Sequence, residues 1–137
     1  MFELRVRPRF YETDAFGHIN NTTVSGWFET AREPLFEIFA PTLDPRALNL
    51  ILARTEIDFV AQLHYGTDVL IRTGIERIGN SSFVVVHEAW QNDVLAARGK
   101  AVQVCFDHQT QKSTVLSAQH RRQLEAHLLA PDNSAKE

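Results

Sequence analysis

The feature that most constrains this chain is a change of hydrophobic period near residue 50. Upstream, Val24, Trp27, Phe28, Ala31, Leu35, Ile38 and Phe39 recur at steps of three and four, the spacing that gathers apolar side chains on one stripe of a helix. Downstream the period becomes two. Ile51, Ala53, Thr55, Ile57, Phe59, Ala61 and Leu63 fall on one side, with Arg54, Glu56, Asp58, Gln62 and His64 opposite, as in a half-buried strand. Turn residues at His64-Tyr65-Gly66, Gly79-Asn80 and Asn92-Asp93 then divide the chain into TDVLIRTGIERI, SSFVVVHEAWQ and VLAARGKAVQVCFD, with Val69, Ile71 and Ile75 inward on the first. Such turns between alternating runs predict hairpins in series, an antiparallel meander. One helix stripe laid on a sheet with one apolar face is a two-layer α+β domain.

The ends fit this frame. Phe2, Leu4 and Val6 alternate with Glu3, Arg5 and Arg7, and Pro8, which cannot donate to a ladder, marks this strand as an edge or ends its pairing. Pro34 interrupts the helical stripe and predicts a kink or break. PTLDPR reads as a loop, and Asp107 to Lys112 as a turn before the short run STVL. SAQHRRQLEAHL has the composition of a closing helix, and APDNSAKE that of a frayed end. One helix cannot cover five or six strands, so the remaining apolar sheet is expected to meet another copy of the chain.

Composition narrows the function classes. The formal charge is −3 with Lys and Arg scattered, against the clustered basic face of a nucleic-acid binder. No run approaches the ~20 apolar residues of a membrane span, and the N-terminus lacks a signal peptide's apolar region. The single cysteine, Cys105, sits in the apolar run AVQVCF. It reads as a packing residue in a reducing compartment, and the protein as cytoplasmic, with neither nucleic acid nor membrane as partner. The six glycines never take the spacing of a phosphate loop. GNSSF lacks the pattern of a nucleophile elbow. The histidines are dispersed: His120 and His127 share a helix face without a third ligand, so no metal site is expected.

What remains is the seam YETDAFGHINN between the first strand and the helix. Gly17 permits a sharp turn, and Asn20 or Asn21 suits the helix N-cap. The first amides of a helix lack internal partners and carry partial positive charge. They can therefore polarise a carbonyl and stabilise the oxyanion formed on attack. Asp14, just upstream, could activate water or attack directly. A turn and a cap explain the same residues equally well, so local chemistry leaves both readings open.

The run FYETDAFGHINNTTVSGWFETARE resembles the signature of the hotdog-fold acyl-CoA thioesterases of the 4-hydroxybenzoyl-CoA thioesterase type. There a segment Y-x-x-T/L-D-x-x-G/Q-H-V/I-N-N precedes the long central helix. EIDFVAQLHYGTDVLIRT, IGNSSFVVVHEAW and AARGKAVQVCFD are similar to its later strands. The resemblance covers about residues 3 to 116 and is carried mainly by the N-terminal motif. Thr67 departs from it, standing where the group often has Asp.

The resemblance implies a hotdog fold, an antiparallel sheet of five to six strands wrapped around one long N-terminal helix. It implies a single thioesterase domain over residues 1–130 and a disordered tail over 131–137. The implied activity is hydrolysis of acyl-CoA to a carboxylic acid and coenzyme A, without a cofactor, in a homodimer or homotetramer whose pockets are shared between subunits. Asp14 falls on the catalytic carboxylate and Asn21 on the residue whose backbone amide faces the thioester carbonyl. Gly17, His18 and Asn20 fall on motif positions expected to bind substrate.

Other residues keep more than one reading. Glu29 is either a pocket acid or a solvated carboxylate, and Trp27, Phe28 and Phe36 are core or acyl-pocket lining. Arg32 and Arg54 are candidates for coenzyme A phosphates. A hotdog dehydratase or hydratase, casting His18 and Glu29 as its proton carriers, is the rival enzyme. A non-catalytic acyl-thioester-binding oligomer is the rival from another class.

Overall fold

The computed structural model describes residues 1–130; the expected tail at 131–137 lies outside them. The elements are β1 (Phe2–Val6), α1 (Asn21–Ala31), α2 (Glu33–Phe39), β2 (Leu50–Phe59), β3 (Val69–Ile78), β4 (Ser82–Gln91), β5 (Val94–Asp107), β6 (Lys112–Ser113) and α3 (Ala118–Glu125). The sheet runs β1-β3-β4-β5-β2, with β6 on the end of β5, and every strand pair is antiparallel. The helices lie against its inner face, which is the hotdog arrangement. No helix among the described residues is long and apolar enough to cross a membrane.

β3, β4 and β5 form the meander expected from the turns. Asn92 and Asp93, between β4 and β5, take φ of 51° and 63°, the left-handed pair that a two-residue turn of type I′ requires. The expected pairing of β2 with β3 does not form. One edge of β3 is taken by β4 and the other by β1, with Leu4 opposite Ile71. β2 therefore pairs with the free edge of β5, and residues 60–68 cross the sheet as a loop.

β2 also corrects the face assigned to it. Leu50 is buried opposite Cys105, while Ile57 is half-buried against the core. Positions 50 and 57 differ by an odd number, so strict alternation cannot point both inward. A bulge between Leu52 and Arg54 supplies the extra residue. Ile51, expected on the same face as Ile57, is consequently exposed.

The helical stripe packs as its spacing predicts. Val24, Trp27, Phe28 and Ala31 of α1 are buried against Val69, Ile71, Ala89 and Ala97. Leu35 of α2 continues the core with Ile75, Phe83, Val85, Ala101 and Cys105, and Leu124 of α3 closes that end. Pro34 breaks the expected long helix in two. It falls in the first turn of α2, where its missing N–H costs nothing, and the Arg32 carbonyl takes the Leu35 and Phe36 amides at 2.8 and 3.0 Å. α1 sits close to the sheet at Gly99, where a Cβ would lie 2.9 Å from Phe28 Cε2 and 3.1 Å from the Glu56 carbonyl. Only glycine leaves that space.

Candidate active site

The seam folds as a small ladder that delivers the chain into α1. The Asn20 N–H donates to the Glu12 carbonyl at 2.8 Å, Thr13 bridges Ile19, and the Asp14 N–H donates to the His18 carbonyl at 2.8 Å. Residues Ala15–Gly17 close the loop as one 3-10 turn. Gly17 takes φ 73°, as expected of it, but Phe16 also takes a positive φ, 66°, which few non-glycine residues adopt. The Phe16 ring is 94% exposed.

Asp14 stands at the base of this loop, exposed, and its carboxylate does not cap the turn. Asn20 is the N-cap: its Oδ1 accepts from the Thr22 N–H at 2.9 Å and the Thr22 hydroxyl at 2.8 Å. The Asn20 carbonyl takes the Thr23 amide at 3.0 Å. Of the amides from residue 20 to 23, only that of Asn21, the first helical residue, has no acceptor among the described residues. Asn21 is exposed. The two asparagines thus divide the labour, with Asn20 capping by its side chain and Asn21 presenting a free N–H at the positive end of α1.

Two braces hold the ladder. Glu12 takes the Arg9 N–H at 2.6 Å on one carboxylate oxygen and the Trp27 indole N–H at 3.1 Å on the other, fixing the seam to α1. On the other side, Ile19 N–H donates to the Leu63 carbonyl at 2.8 Å and Tyr65 N–H to the Gly17 carbonyl at 3.0 Å. The half-buried His18 meets His64 edge to face, ring centres 5.0 Å apart. That loop is itself clamped by Gln91, a buried amide at the end of β4. Gln91 Oε1 accepts from the His64 N–H, and Nε2 donates to the carbonyls of His64 and Thr67, all within 2.8–2.9 Å.

A second polar cluster lies under the helix break. Arg32 is buried, with Nη1 3.2 Å from His87 Nε2, and Thr73 Oγ1 is 2.9 Å from His87 Nδ1. The Phe28 ring stacks on the imidazole at 4.7 Å. Burial first, and the neighbouring guanidinium second, push the His87 pKa down to about 3. Burial also lowers that of Arg32, against the pull of Glu29. A guanidinium only donates, so neutral His87 accepts at Nε2 and donates from Nδ1 to Thr73. With its amide turned to satisfy both neighbours, Gln103 accepts from Arg32 Nε at 3.2 Å and donates to the Ile51 carbonyl at 3.3 Å.

The expectation that Arg32 meets phosphate is therefore overturned. Two helical steps of the apolar stripe carry it inward, where it joins the break to the sheet. Arg54 is exposed but paired with Glu56 at 3.3 Å. Glu29 lines a separate cleft of about 260 Å³ with Phe36, Leu43 and Leu48. Trp27 and Phe28 are core. Cys105 is buried, its thiol pushed up by desolvation. Reading the sequence did not single out Gln91 or His87. The signal was there: both are polar residues on the inward positions of β4, in step with Phe83, Val85 and Ala89.

The ladder thus carries an exposed carboxylate, Asp14, and leads into an uncommitted helix amide, that of Asn21, groups of the kinds that activate water and polarise a carbonyl. The thioesterase-like superfamily matches residues 8–124. The 1,4-dihydroxy-2-naphthoyl-CoA hydrolase of Synechococcus sp. (strain CC9605) is 29% identical over 133 residues, covering 90% of this chain and 89% of that protein. The structure of a predicted thioesterase from Bacillus stearothermophilus superposes with a TM-score of 0.92 at 41% identity, covering 96% of this chain and 98% of that one. A thioesterase from Thermus thermophilus, complexed with coenzyme A and Zn, gives a TM-score of 0.83 at 26% identity, covering 94% of this chain and 95% of that one.

Proposed function

We propose, because this chain belongs to the thioesterase-like superfamily, that the seam at the start of α1 is where it hydrolyses acyl-CoA. The reaction converts an acyl-CoA thioester and water to a carboxylic acid and coenzyme A. In this reading the Asn21 N–H donates to the thioester carbonyl oxygen and stabilises the oxyanion as the carbon becomes tetrahedral. Asp14 acts at the same carbon by one of two routes. As a base it takes a proton from water, whose oxygen attacks while the thiolate leaves. As a nucleophile its carboxylate displaces the thiolate, and water then hydrolyses the mixed anhydride. Gly17, His18 and Asn20 bind substrate through the loop and cap they form.

The observation that carries this reading is the free amide of Asn21, on the same ladder as an exposed carboxylate. Thiol release from a panel of acyl-CoAs tests it. The expected result is steady release of coenzyme A from some members. A dehydratase or a non-catalytic binder liberates no thiol, so a silent panel over a well-folded protein would overturn it. The dehydratase reading is further weakened because Glu29, its second proton carrier, lines a different cleft from the His18 loop.

The working unit in this reading is a homodimer or homotetramer. Among the described residues β2 has a neighbour on one side only, and Ile51, Leu52 and Phe59 on it are exposed. A second copy would cover this edge and enclose the open seam. A cytoplasmic location accords with the lone, buried cysteine.

A further inference from the structure

The first strand leads into a groove of about 750 Å³, within the ~300–1,000 Å³ typical of ligand sites. Arg5, Arg7 and Arg9 line it, together with Tyr11, Tyr65 and Trp27. All three arginines are exposed, and among the described residues none has a carboxylate within ion-pairing distance. Arg46, Arg54, Arg72 and Arg98 do have one. The groove's one acid, Glu12, is already held by the Arg9 amide and the Trp27 indole. In a chain of net charge −3, three unpaired guanidiniums at alternate positions concentrate positive potential locally.

The groove also offers aromatic surface. Tyr11 is 78% and Tyr65 50% exposed, and Phe10 packs edge-on against Tyr65 at 5.7 Å. Guanidiniums pair with phosphate oxygens, and exposed aromatic rings stack on nucleobases. The groove is continuous with the seam through shared residues. Glu12 accepts the Asn20 amide, and Tyr65 donates to Gly17.

We propose that this groove binds the adenosine 3′,5′-bisphosphate end of coenzyme A, with Arg5, Arg7 and Arg9 taking the phosphates and Tyr11 or Tyr65 stacking on adenine. The assignment rests on the acyl-CoA reading of the seam and supplies the phosphate ligands that Arg32 does not.

Two measurements test it, using the full chain and the triple variant Arg5→Gln/Arg7→Gln/Arg9→Gln, with folding checked by circular dichroism. In calorimetry, adenosine 3′,5′-bisphosphate alone binds the wild type and binds the variant at least roughly tenfold more weakly, the scale of one lost charge-assisted hydrogen bond. In kinetics, the ratio of KM for an acyl-CoA to KM for the matching acyl-pantetheine rises by a similar factor in the variant. Equal affinity in calorimetry, or an equal KM change on both substrates, overturns the groove. So does loss of turnover confined to a carrier-protein thioester, which would make the arginines a docking surface for an acidic protein. Failure of the underlying reading looks different: the wild type would release no thiol from any acyl-CoA, while the calorimetry still decides whether the groove takes the nucleotide.

Discussion

Gln91 holds both backbone groups of His64, accepting from its N–H at 2.9 Å and donating to its carbonyl at 2.8 Å. A side-chain amide mimics a second strand partner for His64, on the edge opposite its bridge to His18. Gln91→Leu keeps the bulk but leaves a partly buried amide and two carbonyls unanswered. Each such group costs about 1–3 kcal/mol. We expect a lower melting temperature and faster hydrogen exchange at His64 and Tyr65. Unchanged exchange at both amides would mean that the loop is held by other contacts.

Asp14→Asn removes the carboxylate while keeping its shape, and the carboxylate caps nothing in the turn. The variant is expected to melt like wild type and to lose at least roughly a hundredfold in kcat on acyl-CoA. Near-normal turnover would reduce Asp14 to a turn residue.

Because Asn20 supplies the cap, Asn21→Ala should be mild in both stability and rate. Asn21→Pro deletes the N–H at a position where helices accept proline, and Asn20 already has the extended backbone, φ −61° and ψ 134°, that a following proline favours. Loss of one oxyanion donor costs about 2.7–4 kcal/mol in the barrier, so kcat should fall by roughly two to three orders of magnitude. A folded proline variant as fast as the alanine variant would leave the carbonyl without its assigned donor.

His87 titrates in the folded protein near 3 against an ordinary 6.5. Between these values the unfolded chain binds more protons than the folded one, so stability rises with pH. Its contribution is complete above about pH 6.5 and drains away as pH falls toward 3. Melting temperatures of wild type and His87→Gln, followed from pH 7 to 4, should converge at the acid end. Parallel curves would show that His87 is not the group being charged.

Light scattering at micromolar concentration should give a mass of at least two chains, as expected of a β2 edge that exposes Ile51, Leu52 and Phe59. A monomer that keeps full activity contradicts a shared pocket.

Much of the fold was legible because period reports burial directly. The stripe from Val24 to Phe39 and the turns at Gly79-Asn80 and Asn92-Asp93 did not depend on distant partners. The partner of β2 did, since it was settled by β1, from the far end of the chain, claiming the edge of β3. The bulge at Leu52/Arg54 was hidden because an apolar residue, Ile51, occupies the slipped position and counterfeits regular alternation. In the seam, the sequence offered Asn20 or Asn21 as the cap without deciding between them, because only the folded turn shows that Asn20 Oδ1 reaches the Thr22 amide. Gln91 and His87 were missed because each interrupts an apolar strand only once, and their partners are backbone groups or side chains on other elements.

Gly99 carries a last consequence. A strand glycine weakens its sheet, so replacing it with alanine is the kind of change that ordinarily strengthens a fold. Here the added methyl would press on Phe28 and raise α1. Asn21 lies seven residues toward the amino end of the same helix, about 10 Å along its axis, and would move with it. Displacements of about 1 Å at a reacting centre can cost a hundredfold in rate. The clearance at Gly99 is thus a machinist's tolerance: the added carbon would overpack the core against Phe28 and the Glu56 carbonyl, so stability and turnover ask for the same missing atom.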